Sequence, residues 1–277
     1  MDYTRITKKM LSFVSPYLRN YDLDIIGKEN ITDENAIFVC NHSNSHDFFT
    51  TQEVFNELGR DVTTFAGSDC LDFFTLQLFK VGDATLFDRS SKESSLNGLS
   101  EFSNKLIAGK DGVIFSEGTW NLHPVKTVLP MKAGAVRAAL SSGKTIIPTV
   151  FEYVEIPEVV EREKELYDRC IVWFGKPIII DKDDNVFQKM SMVQNEINDM
   201  RRELWKKIGI KKDSIDQVNK DIYLNHTYLK KFDALGFNYD SNHEFQYLLK
   251  DENGNVDNEY YIDENGNFVP GITNKQK

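Results

Sequence analysis

The chain lacks three features that would each indicate a particular class of protein. It has only three cysteines, Cys40, Cys70 and Cys170, far apart and within apolar segments, which argues against a disulfide framework or zinc site and predicts buried thiols in a reducing compartment. Its 33 Lys and Arg are outnumbered by 43 Asp and Glu, so nucleic acid is not an expected partner. It also has no apolar run near the ~20 residues of a membrane-spanning helix and no apolar signal-peptide core. We therefore expect a cytoplasmic protein, soluble or peripherally attached to a membrane.

The pattern of the 277 residues predicts one large α/β domain with two appendages. Over residues 21–210, apolar runs typical of strands alternate with amphipathic segments typical of helices, which predicts a mostly parallel central sheet flanked by helices. Residues 1–20 predict a basic amphipathic helix, which either packs on its own domain or contacts a membrane surface. Residues 211–277 form an acidic extension. It is predicted to contain a helix and then a β-hairpin, because the motif DENGN occurs twice and Asn-Gly is a strong hairpin signal.

Polar side chains are concentrated directly after one of the predicted strands. The segment CNHSNSHDFF, residues 40–49, follows the apolar run AIFVC and precedes a predicted helix. If His42 leaves the strand and Asp47 lies in the first helical turn, the carboxylate reaches the imidazole, fixes its tautomer and stabilises its charged form. The second ring nitrogen is then available to take a proton from a hydroxyl group. This spacing predicts a general base at His42 that is oriented by Asp47.

Three other interpretations of the same segment stay open at this point. His42 and His46, with Asp47, are candidate metal ligands, although the preceding strand disfavours the helical spacing that two histidines would need. The polar residues also suit a turn in which they only cap backbone groups. A Ser-His-Asp hydrolase is the third interpretation, but the chain has no G-x-S-x-G motif.

Further motifs follow in order: VGDATLFDRS at 81–90, FSEGTW at 115–120 and IIPTV at 146–150. Together with NHSNSHD they resemble the four motif blocks of the glycerolipid acyltransferase family, which includes lysophosphatidic acid and glycerol-3-phosphate acyltransferases. LPMKAGAVRAAL also looks like the Lys-x-Gly-x-x-x-x-Ala helix of that family. The resemblance covers roughly residues 20–180. It implies transfer of an acyl group from acyl-CoA or acyl carrier protein to a hydroxyl, with no metal and no bound cofactor.

The resemblance also implies a role for each matching residue. The catalytic pair would be His42 and Asp47. The acceptor-binding residues would be Arg89, which suits an anionic group, and Glu117, Gly118, Thr119 and Trp120 of the third block. Residues of the acyl-donor site, or of structural importance, would be Gly82, Lys132 and Pro148. Within the third block, the resemblance implies that Glu117 either holds the acceptor hydroxyl or braces Arg89. Taken alone, without the resemblance, Arg89 would be interpreted as forming a surface ion pair with Asp83 or Asp88.

The third block departs from the family pattern at two positions. Ser116 replaces a proline, and Trp120 replaces an arginine that would carry positive charge near an acceptor phosphate. The acceptor implied by the resemblance is a lysophospholipid, 1-acylglycerol 3-phosphate, at the cytosolic membrane face. Trp120 instead favours a non-phosphorylated acceptor such as a glycosyl or amino-alcohol hydroxyl, unless Lys126 or Lys132 restores the charge. Alternatives from other classes are a non-catalytic lipid-binding module of the same fold and, least favoured, a metal hydrolase.

Overall fold

The structure, a computed structural model, describes residues 21–44, 46–69, 71, 73–118, 121, 127–155 and 167–210 and the backbone of 260–262 and 268–270. Strands and helices alternate along the main part of it. They are β1 (Asp22–Ile26), β2 (Ile37–Cys40), α1 (Asp47–Glu57), β3 (Val62–Gly67), α2 (Phe73–Val81), β4 (Thr85–Phe87), α3 (Lys92–Ile107), β5 (Asp111–Phe115), α4 (Gly134–Ser142), β6 (Ile146–Glu155), β7 (Tyr167–Phe174) and α5 (Val186–Ile208). A single 3-10 turn, Lys28–Asn30, follows β1.

These strands form one seven-stranded sheet in the order β1-β7-β6-β2-β5-β3-β4. Neighbouring strands are parallel except for the β6–β7 pair, which is antiparallel. The predicted α/β fold with a mostly parallel sheet is therefore confirmed. Strand β2 occupies the middle position, between β5 and β6. Of the predicted catalytic pair, His42 lies in the loop after β2 and Asp47 at the start of α1.

Both faces of β2 are covered, which explains why its sequence IFVC is apolar at every position. Ile37 and Val39 belong to a core that includes residues of α3, α4 and α5. Phe38 and Cys40 belong to a second core on the opposite face, which includes residues of α1. Helices thus cover the sheet on both sides. At the carboxyl end of β2 the chain leaves the sheet and, after a short turn, enters α1.

Two strands and one apolar run differ from what the sequence pattern predicts. The alternation of apolar runs does not identify β3 or β4, because β3 contains two threonines and ends in glycine, and β4 has three residues. The run PIIID, 177–181, has the composition of a strand, yet it contributes only an isolated bridge between Ile146 and Ile178. Its next residue, Ile179, is 68% exposed, so this run is not covered as a sheet strand would be.

Part of the predicted C-terminal extension is described. Strands β8 (Tyr260–Ile262) and β9 (Phe268–Pro270) pair antiparallel, with Ile262 opposite Phe268. The second DENGN motif connects them, which confirms the hairpin predicted there. The predicted helices in 1–20 and after residue 211, and the first DENGN motif, lie outside the described residues. Within the described part of the chain, no helix combines the length and apolar character needed to cross a membrane.

Candidate active site

The predicted contact between His42 and Asp47 is present. Asp47 is the first residue of α1, and its buried Oδ2 lies 2.7 Å from His42 Nδ1. The same oxygen accepts hydrogen bonds from the backbone N–H groups of Ser43 and Asn44, each at 3.1 Å. One carboxylate oxygen therefore shapes the turn after β2 and orients the imidazole at the same time.

The imidazole of His42 is arranged to accept a proton. Because Nδ1 faces a carboxylate, we assign the ring hydrogen to Nδ1, which leaves Nε2 as the unprotonated nitrogen. The His42 side chain is 23% exposed whereas that of Asp47 is 1% exposed, so the imidazole reaches solvent and the carboxylate does not. The ring also lies against Phe115, with ring centroids 4.8 Å apart. This arrangement matches a general base held in one tautomer by a buried acid.

The backbone at His42 is held by two neighbours that sequence analysis did not identify. The fully buried Asn41 donates from Nδ2 to the carbonyl of Phe151 at 2.9 Å and accepts from the Phe151 N–H at 2.8 Å. These two bonds extend the contact between β2 and β6 by one residue. The backbone N–H of Asn121 donates to the carbonyl of His42 at 2.5 Å. In the sequence, Asn41 stands between the apolar run of β2 and His42, and this position could have indicated that its side chain is buried and hydrogen-bonded.

Arg89, the distal residue of the second block, pairs with Asp69. Strands β3 and β4 place Gly67 opposite Phe87, so the residues two positions further along each strand meet. Arg89 Nε donates to the two Asp69 oxygens at 3.1 and 2.9 Å, and Arg89 Nη1 donates to the carbonyl of Gly118 at 2.8 Å. The second and third blocks are thereby joined through one guanidinium.

The ion-pair partner of Arg89 suggested by the sequence is wrong. Asp83 pairs with Lys105 at 3.2 Å and with Lys110, and Asp88 accepts hydrogen bonds from Ser90. Arg89 instead pairs with Asp69, which the parallel pairing of β3 and β4 brings beside it, so closeness along the chain did not identify the partner.

Gly82 of the second block makes room for the side chain of Phe48, which is next to Asp47 in the chain. A Cβ at Gly82 would lie 2.5 Å from the ring of Phe48, the residue that follows Asp47. Phe48 also stacks on Phe79 of α2, with ring centroids 3.8 Å apart. Gly82 thus permits α2 to pack closely on the start of α1, which is a structural contribution to the site.

The carboxylate of Glu117, in the third block, is buried beside the turn that carries His42. Phe115, the last residue of β5, lies opposite Cys40, the last residue of β2. Glu117 and His42 each come two residues later, so they leave neighbouring parallel strands at the same edge of the sheet. Neither carboxylate oxygen has a hydrogen-bond partner among the described residues. Burial raises the pKa of Glu117 well above its ordinary value. The charge of Arg201 and the nearby backbone amides of His42 and Leu129 act in the opposite direction, but their effect is smaller.

Glu117 makes no hydrogen bond to Arg89, so its suggested role as a brace for that guanidinium is wrong. The brace is the carbonyl of Gly118, which accepts from Arg89. Gly118 adopts a left-handed backbone conformation with φ of 74°, and a Cβ there would lie 2.7 Å from Lys132 Nζ. Burial and the charge of Arg89 lower the pKa of Lys132, and Asp69 raises it. Two cationic side chains therefore flank Gly118.

The other predicted site residues take the following positions. Pro148 lies in β6 opposite Val39 of β2, three residues before His42, and its carbonyl accepts a hydrogen bond from Gly175 at 2.7 Å. Thr119, Trp120 and Lys126 lie outside the described residues. The roles that the family resemblance implies for all of these residues stay predictions.

The metal-site interpretation finds no support in the described part of the chain. His46 precedes α1 and lies edge-on to the Tyr21 ring, with centroids 6.0 Å apart. Burial lowers the pKa of His46. No group of three or more His, Cys, Asp and Glu side chains among the described residues has an arrangement that could hold a metal ion.

Comparison with known proteins gives consistent results. Residues 22–152 match a family model described as Acyltransferase. A 1-acyl-sn-glycerol-3-phosphate acyltransferase of Saccharomyces cerevisiae is 27% identical over 147 residues, which is 52% of this chain and 48% of that protein. The protein of the same description from Haemophilus influenzae is 30% identical over 119 residues, 42% of this chain and 47% of that protein. The chain thus spans about half the length of the curated relatives it matches.

The fold also resembles that of a solved structure. The crystal structure of the 1-acyl-sn-glycerophosphate (LPA) acyltransferase PlsC from Thermotoga maritima superposes with a TM-score of 0.55 at 19% sequence identity. The superposition covers 73% of this chain and 79% of PlsC, and it shows a shared fold. The motif blocks identified in the sequence all lie within residues 22–152. The resemblance to the glycerolipid acyltransferase family identified in the sequence is therefore confirmed for residues 22–152.

Proposed function

We propose that this protein is an O-acyltransferase that moves a fatty acyl group from an acyl thioester to a hydroxyl of a lysophospholipid, most simply 1-acylglycerol 3-phosphate. The observation that carries the proposal is the His42–Asp47 pair, with a 2.7 Å contact on Nδ1 and a partly exposed imidazole. The match of residues 22–152 to the Acyltransferase family model supports the same reaction class.

The reaction follows from the chemistry of this pair. His42 Nε2 takes the proton of the acceptor hydroxyl as its oxygen attacks the thioester carbonyl, and Asp47 stabilises the resulting imidazolium. The tetrahedral adduct then breaks its C–S bond, and the departing thiolate takes the proton back from the imidazolium. The products are the acylated alcohol and a free thiol. No covalent acyl-enzyme, metal or bound cofactor is required; acyl-CoA or acyl carrier protein serves as co-substrate.

The cations around Gly118 support an acceptor that carries a phosphate. Arg89 Nη1 lies 2.8 Å from the Gly118 carbonyl, and Lys132 Nζ would lie 2.7 Å from a Cβ at Gly118. A guanidinium and an ammonium close together form a suitable site for a phosphate group. Lys132 would then supply the positive charge that is missing where Trp120 replaces the family's arginine.

A non-phosphorylated acceptor is the second candidate. Asp69 already makes two contacts with Arg89 Nε, which offsets part of the positive charge there. Together with Trp120 in place of arginine, this favours a neutral alcohol such as a glycosyl or amino-alcohol hydroxyl. The same catalytic pair would perform that reaction without change.

Membrane contact belongs to the proposal because the acceptor is a lipid. Phe73 and Phe74, at the start of α2, are 80% and 68% exposed. They follow β3 at the same sheet edge as the catalytic loop, where an aromatic pair suits the interface of a phospholipid surface. We propose peripheral attachment at the cytosolic membrane face through α2, together with the basic segment 1–20.

The deciding experiment supplies acyl-CoA or acyl carrier protein with lysophosphatidic acid or its dephosphorylated partner, and follows thiol release and the mass of the products. The proposal predicts thiol release that depends on lysophosphatidic acid and a diacylated phosphate product. Faster acylation of the dephosphorylated partner would select the second candidate. Binding of lipid vesicles without thiol release from either donor would reject acyl transfer and favour a lipid-binding module.

A further inference from the structure

Helix α5 presents a row of polar side chains to the segment that carries Lys132. Gln194 Oε1 accepts from the Met131 N–H at 2.9 Å, and Asn198 Oδ1 accepts from the hydroxyl of Thr127. Arg201 Nη1 donates to the carbonyl of Thr127. Positions 194, 198 and 201 are four and three residues apart, so they lie on one face of the helix. The buried residues of α5 other than Arg201 are apolar or aromatic, so these three polar side chains differ from the rest of the packed surface of the helix.

Arg201 also joins this helix to the sheet. Arg201 Nε lies 2.6 Å from Glu152 Oε2 of β6, and both side chains are buried. The guanidinium lies 5.1 Å from the centroid of the Trp205 ring. Removing two charges from water costs free energy that their attraction only partly offsets. The Arg201–Glu152 pair is therefore not explained by its contribution to stability alone. Its geometry instead fixes α5, β6 and residue Thr127 relative to one another.

The segment held by α5 leads directly into the candidate acceptor site. Lys132 is the residue after Met131, and its backbone N–H donates to the carbonyl of Ser116 at 2.8 Å. Its ammonium lies next to Gly118. The segment 127–132 is thus held by α5 at Thr127 and Met131 and by the third block at Lys132.

We propose that Gln194, Asn198 and Arg201 form a positioning clamp, the α5 clamp, that holds segment 127–132 so that Lys132 faces the acceptor. The clamp lies outside the family-matched residues 22–152, and its effect on acceptor binding rests on the proposed function. None of its three members touches the reacting atoms, so they are positioning residues. The charge of Arg201 near the buried Glu117 gives the clamp a second connection to the third block.

The test uses uncharged variants of the whole chain that keep a side chain at each position. Gln194→Met and Asn198→Leu each remove one hydrogen-bond acceptor. Arg201→Met combined with Glu152→Gln removes both charges of the buried pair, so that no unpaired charge destabilises the fold. Arg202→Met is the matched control, because Arg202 is the next residue of the helix and its side chain is 67% exposed. Three quantities are measured: hydrogen exchange of segment 127–132, the KM values of acceptor and donor, and the melting temperature.

The clamp predicts a specific pattern. Exchange in segment 127–132 rises, and the acceptor KM rises roughly threefold to tenfold per lost hydrogen bond. The donor KM and the kcat change by less than about twofold, and Arg202→Met matches the wild type. A merely structural role would lower the melting temperature without separating the two KM values.

Two results separate the clamp from the proposed function. If the wild type transfers acyl groups and the clamp variants match Arg202→Met in both exchange and acceptor KM, the clamp is overturned. If the wild type transfers no acyl group, the proposed function fails, and exchange alone decides the clamp: increased exchange supports it and unchanged exchange overturns it.

Discussion

Replacing Asp47 by asparagine separates the charge of the buried acid from its role in shaping the turn. Asp47 Oδ2 accepts from His42 Nδ1 at 2.7 Å and from two backbone N–H groups at 3.1 Å. An amide oxygen in the same position can still accept all three bonds, so we expect the loop and the imidazole tautomer to persist. What is lost is a negative charge beside the imidazolium that forms during proton transfer.

The size of this loss follows from Coulomb's law. Two unit charges about 4 Å apart interact by about 4 kcal/mol at an effective dielectric constant of about 20. Since about 1.4 kcal/mol corresponds to a factor of ten in rate, Asp47→Asn should lower kcat by roughly 10³-fold. Thiol release from acyl-CoA in the presence of lysophosphatidic acid measures kcat. The matched control is Asp24→Asn, which removes the charge of an exposed aspartate that lies 3.5 Å from Arg169. A folded Asp47→Asn protein with kcat within threefold of the wild type would refute the reasoning.

Three further predictions concern the acceptor site, stability and membrane contact. Arg89→Ala and Lys132→Met should each raise the KM for lysophosphatidic acid about tenfold or more, as expected when a charged hydrogen bond is lost. The KM for its dephosphorylated partner should stay nearly constant. Equal changes in the two KM values would rule out phosphate recognition. The pKa of Glu117 is raised in the folded protein, so the stability it contributes is lost as pH rises through that pKa. Glu117→Gln should therefore gain stability over the wild type between acid and neutral pH in urea unfolding, and a pH-independent difference would contradict this. Replacing Phe73 and Phe74 by serine should weaken sedimentation with anionic liposomes while turnover of detergent-dispersed acceptor is retained, and unchanged sedimentation would exclude α2 as the contact.

The parts of this molecule that sequence analysis identified are those in which neighbouring residues determine the structure. The fully apolar β2, the start of α1 at Asp47 and the Asn-Gly hairpin all produce local signals, and each is present in the structure. The contact of His42 with Asp47 could be predicted because only four residues separate them. Strands β3 and β4 were missed because threonine, glycine and a length of three residues do not give a clear apolar run.

The parts that were missed depend on which strands become neighbours. Asp69 meets Arg89 only because β3 and β4 pair in parallel with Gly67 opposite Phe87. The contact of Asn41 with Phe151 likewise needs β6 beside β2. Spacing along the chain contains no information on these pairings, so it suggested Asp83 or Asp88 as partners of Arg89 instead.

The most direct test of the account is the turnover of a folded His42→Ala protein with acyl-CoA and lysophosphatidic acid. Proton transfer by a positioned base is typically worth about 10²–10⁴-fold, so the account predicts that acceptor-dependent thiol release falls by at least about two orders of magnitude. Thiol release by this variant at the rate of the wild type would contradict the account.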